Sequence, residues 1–514
     1  MGYFYSYLIY FYATALALIY LSLMAMSYFN TLRYRYRYSK RDENYFKEFP
    51  EEAPGISIVA PAYNEEVIIY DNVNSLLSLD YPNFEVIIVN DGSKDSTLAI
   101  MMREFELEEA PYYYVYKVCC EPIKKIYRSK NPMYNKLIVV DKENGGTKAD
   151  AMNAGINIAK YDYFINTDVD CILAPDTLSK IILPVLDADT HVIAVGATMR
   201  MANGCTLENG RISQVNPPNR LIPLFQETEY LRSYLVSKMG MSMINCVTNV
   251  SGGFGLFDRQ VVLSSGGFDS ESHAEDMDMT LRMTAYMREN KKPYRIVQCP
   301  YSLCWTEGPS TLRGLINQRT RWGRGMIQCM FEHRKFFFSK DYGRLGFVIM
   351  PYIFLFEFLA PIIEVLGLIF LIFLVLTGQV NYDTFWMMVA YAYLIGLSVS
   401  IITVSYDLVL GKLYKNFWQY LKLVLFSAVE AIIYHPIVVV LTLRGYVQYF
   451  SRKTFKWGAM TREGFSQNNN NNNNNNSNNG GAVSNEGVSF GNNPVSQSIR
   501  RDFLSSDKSP NTCN

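Results

Sequence analysis

Acidic residues punctuate this chain at spacings suited to holding a cation and moving a proton. In "NTDVDCILAPD", Asp168 and Asp170 alternate along an extended segment, so both carboxylates fall on one side of it. Such a pair suits a hard divalent cation that bridges to phosphate oxygens, although two acids at a solvated strand end need no ion. In "SHAEDMDMTLRM", Glu275 and Asp276 open a helix, where acids complement the helix dipole. The alternative is chemical: a carboxylate placed to take the proton of an attacking hydroxyl. In "NQRTRWGRG", Gln318, Arg321 and Trp322 lie at i, i+3 and i+4, on one helical face. Arg321 suits bidentate contact with a diphosphate, and Trp322 suits stacking on a sugar ring. Arg319 and Arg324 read as interfacial anchors near anionic head groups.

Further polar groups sit where apolar runs end. "VAPAYNEE" offers Tyr63, Asn64 and Glu65, the tyrosine as a ring beside a planar base. "VNDGSKDST" places Asp91 after an apolar run, able to accept hydrogen bonds from a ribose or a base edge, or to make an ordinary Asp-Gly turn. "GGTKADAMNAG" opens a helix with Lys148 in its first turn, a setting that suits a phosphate-bearing ligand. The Walker pattern is absent, which argues against a P-loop nucleotidase.

Positioning these groups requires a sheet. "ISIVAPAYN" (56–64), "FEVIIVND" (84–91), "KLIVVD" (136–141), "DYFINTDVD" (162–170) and "HVIAVGATM" (191–199) read as buried strands. Helical patterns at 65–78, 96–108 and 148–160 alternate with them. That order predicts a mostly parallel α/β sheet, with ligands beyond the carboxyl ends of the strands. Asn64, Asp91, Asp168 and Asp170 all fall there.

The remainder is apolar. Residues 4–29 carry no charge and precede "RYRYRYSKR", which reads as an uncleaved membrane anchor with its C-terminal side in the cytoplasm. Residues 346–378, broken by Pro351 and Pro361, read as an interfacial helix followed by a span, and 384–406 and 421–443 as two more. Glu357, Glu364, Glu430 and His435 within them are expected to face protein or water. The span count conflicts with the charges, because three C-terminal spans put "RGYVQYFSRKTFK" outside. The domains expected are a membrane helix (1–30), a basic linker (31–53), a cytosolic catalytic domain (54–330), interfacial helices (331–360), membrane helices (361–445), a basic segment (446–465) and a disordered Asn-rich tail (466–514). The 48 basic residues balance 48 acidic ones, which gives no support for a nucleic-acid partner. Nine cysteines without CxxC spacing read as mostly reduced thiols, and four histidines argue against a His-built metal site.

These segments, in this order, resemble the membrane-embedded family 2 glycosyltransferases, which include the cellulose, chitin, hyaluronan and poly-N-acetylglucosamine synthases. "LCWTEGPSTLRGLINQRTRW" looks closest to the bacterial poly-N-acetylglucosamine synthase branch. The resemblance implies a GT-A fold, a UDP-sugar donor and Mg2+ or Mn2+. It implies a donor site of Tyr63, Asn64, Glu65, Asp91, Lys148, Asp168 and Arg321, with Asp168 and Asp170 as the DxD motif on the metal. It makes Asp276, with Glu275, the acidic motif that supplies the catalytic base. Gln318 and Trp322 of QxxRW would face the acceptor, as would Gly252 and Gly253 in "SGGFGLF". The motif here is "AED" rather than "TED", which spares the acids. The tail has no recognisable regulatory domain, so control by cyclic dinucleotides is not expected.

The activity implied is processive, inverting polymerisation from a UDP-sugar, best UDP-GlcNAc, at the cytosolic face of the cell membrane, with export of the product. The alternative is a single addition to a lipid acceptor; a transporter or scaffold without catalysis is more distant. Membrane lipids and accessory membrane subunits are the further partners.

Overall fold

A computed structural model describes residues 2–38, 45–208, 210–410 and 413–451. The Asn-rich tail lies outside the described residues. Helix α1 (Gly2–Arg37) leads into an alternation of strands and helices. First come β1 (Ile56–Ala62), α2 (Ile69–Leu77), β2 (Phe84–Asn90), α3 (Thr97–Glu104), β3 (Leu107–Glu109), β4 (Ile123–Ser129), β5 (Leu137–Lys142) and α4 (Lys148–Ile158). Then follow β6 (Tyr163–Thr167), β7 (Ile172–Leu173), α5 (Thr177–Leu186), β8 (Val192–Met201), a small ribbon of β9 (Thr206–Glu208) and β10 (Arg211–Gln214), and α6 (Leu221–Arg232). After α7 (Met239–Met243) and β11 (Phe254–Asp258) come α8 (Arg259–Ser264), α9 (Glu275–Glu289), β12 (Arg295–Thr306) and α10 (Leu312–Glu332).

Ten strands form one sheet in the order β3-β4-β5-β2-β1-β6-β11-β8-β12-β7. The centre, β5-β2-β1-β6, is parallel, as is the β8–β12 pair; the other pairings are antiparallel. Every residue of β2 is buried, as expected of a strand covered on both faces. Alternation divides its residues between two cores. Val59, Ile87, Val89, Ile138 and Val140 face α4, while Ile58, Val86, Ile88 and Val139 face the opposite layer. Helix α4 lies close against the sheet because Gly155 has no side chain; a Cβ there would sit 2.3 Å from Val59 Cγ1.

Several boundaries differ from the sequence reading. Helix α2, expected over 65–78, starts at Ile69, after Asn64 turns the chain at φ +57°. The helix expected over 96–108 stops at Glu104; Glu106 takes a left-handed conformation and β3 follows. The strand expected over 162–170 ends at Thr167, so both acids of the pair lie just past it.

Among the described residues, four helices are long and apolar enough to cross a membrane: Phe11–Arg37, Leu345–Leu376, Tyr382–Leu408 and Phe417–Phe450. The second is distorted into wider turns on both sides of Pro351 and is regular again over α11 (Ala360–Leu376). Its first half packs Leu345, Ile349, Met350 and Ile353 against Met277, Leu281 and Cys329 of α9 and α10. The last two belong to α12 (Tyr382–Leu410) and α13 (Phe417–Phe450). Helix α13 carries Arg444 inside it, so the basic segment that conflicts with the span count begins as a helical extension. Two of the acids and the histidine of these helices have partners: Glu430 pairs with Arg232 at 2.8 Å and Glu364 with His435 at 2.9 Å. Arg200, at the end of β8, is fully buried between Glu227 (2.5 Å) and Asp407 of α12 (2.6 Å).

Candidate active site

The parallel strands deliver their carboxyl ends to one cleft, lined by Tyr63, Glu65, Asp91, Lys148, Asp168 and Asp170 among others. Asp91 is held by the buried Lys142, whose ammonium bridges it (2.6 Å) to Asp150 (2.5 Å), and by the Gly145 amide (3.0 Å). Asn64 does not line this cleft. Its side chain accepts from the Lys94 amide at 2.8 Å and its own amide donates to Ser93 Oγ, so it ties two loops together.

Thr147 caps α4, and the helix begins with Lys148. The buried Lys148 ammonium is ion-paired to Asp168 and donates to the Gly252 carbonyl at 2.6 Å. Burial works against its charge, but Asp168 and Glu275 outweigh burial and hold its pKa above the ordinary lysine value. Asp168, Asp170 and Cys171 each bring a ligand atom within 4.8 Å of the others. The two half-exposed carboxylates fit a hard cation, which takes oxygen ligands; the buried, softer Cys171 thiol does not belong to that set.

The loop Ser251–Gly253 runs from Asp168 to the helix acids Glu275 and Asp276. A Cβ on Gly253 would lie 3.4 Å from Asp168 Oδ2 and 2.7 Å from Met199 Cε, and one on Gly252 would lie 3.4 Å from Glu275 Oε1. Asp276 Oδ2 accepts from the Gly252 amide (3.1 Å) and Asn249 Nδ2 (3.0 Å), and its Oδ1 accepts from the Met277 amide (2.9 Å). Burial pushes the Glu275 carboxyl above its ordinary value; Arg321 opposes this, Asp276 adds to it and Lys148 opposes it. Arg321 therefore acts on Glu275 through its charge.

Helix α10 divides "NQRTRWGRG" differently from the spacing argument. Trp322 remains 36% exposed and Gln318 accepts from Gln226 Nε2 at 2.7 Å. Arg319 and Arg324, expected at head groups, are instead buried, at 4% and 6% exposure. Arg319 is clamped by Glu229 of α6 and by Tyr434 of α13. The apolar helix α13 packs directly on α10, so this face of the helix meets protein. Sequence reasoning also passed over Lys142, Asn249, Gln226 and Glu229. Lys142 alone left a signal, one residue past "KLIVVD" and on the alternate side of β5 from Asp141.

A sheet whose parallel centre presents acids to one cleft, flanked by long apolar helices, is an α/β fold of the GT-A type with candidate transmembrane helices. The sequence model described as "Glycosyl transferase family 2" matches residues 57–116, and "Glycosyl transferase family group 2" matches 182–399. These matches, with the relatives that follow, support a family 2 glycosyltransferase close to the poly-N-acetylglucosamine synthase branch. The chain is 27% identical to poly-beta-1,6-N-acetyl-D-glucosamine synthase of Staphylococcus aureus over 302 residues, which is 59% of this chain and 61% of the relative. The S. epidermidis counterpart is 28% identical over 331 residues, 64% of this chain and 67% of that one. Among solved structures, the mannosyltransferase PcManGT from Pyrobaculum calidifontis with GDP-Man and Mn2+ gives TM-score 0.46 at 17% identity, covering 85% of this chain and 100% of that one. S. aureus TarS 1–349 with UDP-GlcNAc gives 0.33 at 17% identity, covering 54% and 66%.

Proposed function

We propose that the chain is a processive, inverting glycosyltransferase that polymerises N-acetylglucosamine from UDP-GlcNAc at the cytosolic face of a membrane and exports the polymer along its own helices. The single observation that carries this reading is the Asp276 carboxylate. It accepts from the Gly252 amide while Lys148 donates to the carbonyl of the same residue, and the charges of Arg321 and Lys148 act on the adjacent Glu275. In the reaction, Asp276 accepts the proton of the acceptor hydroxyl as that oxygen bonds to the anomeric carbon. The bond from that carbon to the diphosphate oxygen breaks on the opposite face, which inverts the configuration. Lys148 and Arg321 face the charge that develops on the departing UDP, where fixed cations lower the barrier. A divalent ion on Asp168 and Asp170, Mg2+ or Mn2+, supplies further neutralisation of the diphosphate when bound. The donor follows the names of the relatives. The cytosolic placement follows the basic end of α1, Arg33, Arg35 and Arg37.

The test combines product and release assays. Asp276→Asn is expected to bind UDP and to make no product; retained turnover sinks the base assignment. Release of UDP from UDP-GlcNAc, but not from UDP-glucose or UDP-glucuronate, supports the donor. A polymer ladder from the detergent-purified enzyme supports processivity, and a product of single additions overturns it in favour of a lipid acceptor.

A further inference from the structure

The buried arginine of "NQRTRW" has an arrangement that the reaction described above leaves unused. Arg319 Nη1 donates to Glu229 Oε1 at 2.8 Å, and Nη2 donates to Glu229 Oε2 and, at 2.8 Å, to the Tyr434 hydroxyl. That hydroxyl in turn donates to Glu229 Oε2 at 3.2 Å. The guanidinium lies 4.4 Å from the centroid of the Trp322 ring. One turn of helix brings the two side chains together, but the turn alone does not fix the cation over the ring. Glu229 and Tyr434 do that, from α6 and α13. Three elements therefore converge on one cation, and that cation touches the aromatic ring that remains partly exposed. Gln226, one turn before Glu229 on α6, holds Gln318 in the same way at 2.7 Å.

We propose that Arg319 is a positioning residue for the acceptor: clamped by Glu229 and Tyr434, it holds the Trp322 ring in the orientation that receives the sugar. The inference rests on the reading of Trp322 as an acceptor-stacking ring. An arginine is suited to this because its planar cation pairs with a carboxylate along its edge while its face lies on an aromatic ring. A lysine keeps the charge and loses that geometry. Tyr434 lies in a membrane helix, so the acceptor ring is braced directly by the membrane bundle.

The experiment uses the full-length enzyme in detergent, with short N-acetylglucosamine oligosaccharides as acceptor probes. Removing Arg319 alone leaves Glu229 without its buried partner, so the main variant is the double substitution Arg319→Ala/Glu229→Ala, with Arg319→Lys as the conservative one. UDP binding reports that each is folded. The double variant is expected to bind UDP normally, to raise the KM for acceptor by about tenfold with kcat nearly unchanged, and to shift Trp322 emission, read as the difference from Trp322→Phe. Arg319→Lys is expected to give a smaller change in the same direction, and it carries the test if the double variant does not fold. Unchanged acceptor KM and unchanged Trp322 emission overturn the proposal. If Trp322→Ala itself leaves acceptor KM unmoved, the acceptor role of the ring fails. The inference about Arg319 falls with it, whatever the emission shows.

Discussion

Lys148 donates to the Gly252 carbonyl at 2.6 Å while its charge rests on Asp168. One side chain thus joins the acids of the proposed metal site to the loop that holds the proposed base. The first partner follows β6 and the second lies in the loop that leads into β11, whose Gly252 amide donates to Asp276 of α9.

Lys148→Met keeps the length and removes the charge. It is expected to lower kcat by about a hundredfold, the usual effect of losing one fixed electrostatic contact to a leaving group. Donor binding should weaken as well, because Asp168 is left without its cation. UDP release under saturating UDP-GlcNAc measures the first effect and UDP titration the second. A variant with normal kcat would place Lys148 outside the reaction.

The helices that bear the proposed base and the tryptophan touch at a point with no room to spare. A Cβ on Gly325 would meet Ala274 Cβ at 2.5 Å and the Ala274 amide at 2.9 Å. Gly325→Ala should therefore push the start of α9 away from α10, moving Glu275 and Asp276 together. A displacement near 1 Å at reacting groups costs about a hundredfold in rate. The expected result is a large fall in kcat with UDP binding retained. Ala274→Gly on the same chain should recover part of it, since it removes the nearer of the two obstacles. Additive effects in that double-mutant cycle would mean that the contact does not transmit the change.

Metal dependence gives a third test. Chelation should abolish UDP release, and Mg2+ or Mn2+ should restore it. Asp170→Asn should require a higher ion concentration for the same rate, because one oxygen ligand is replaced by a weaker one. Asp170 is the better position for this test than Asp168, which also holds Lys148. Full activity in the chelated enzyme would remove the ion from the mechanism.

Much of this site was legible in the chain because its chemistry sits at strand ends. The apolar runs of β1, β2 and β6 are nearly continuous, and the first polar residue after each marks the cleft edge. What the chain concealed depends on contacts between distant segments. Arg319 and Arg324 read as membrane-surface residues because local sequence shows only charge beside an apolar stretch. Glu229, 90 positions away in sequence, and Tyr434, 115 away, decide otherwise. Asn64 makes a local contact that its motif does not show: in a left-handed turn, its side chain accepts from the Lys94 amide. Lys142 leaves little sign because a lysine at a strand end usually faces water; Asp91, Asp150 and the Glu143 carbonyl together make its burial tolerable.

One buried lysine offers a test by pH. Lys238 lies above the Tyr234 ring at 4.7 Å, just beyond α6, and feels the charges of Asp276 and Glu357. Burial lowers its pKa from 10.5 to about 8, more than those two acids raise it. Between pH 8 and 10.5 the folded protein therefore holds fewer protons at this position than the unfolded chain. Stability rises with pH wherever the unfolded state binds more protons. The wild type should thus gain stability across that window relative to Lys238→Met, by about 3 kcal/mol in total. Below pH 8 both states are protonated and the difference between the two proteins should be flat. Thermal unfolding of both in the same detergent, from pH 7 to pH 10, measures it. A constant difference throughout would mean that the ammonium reaches water, and that Asp276 has no buried cation behind it.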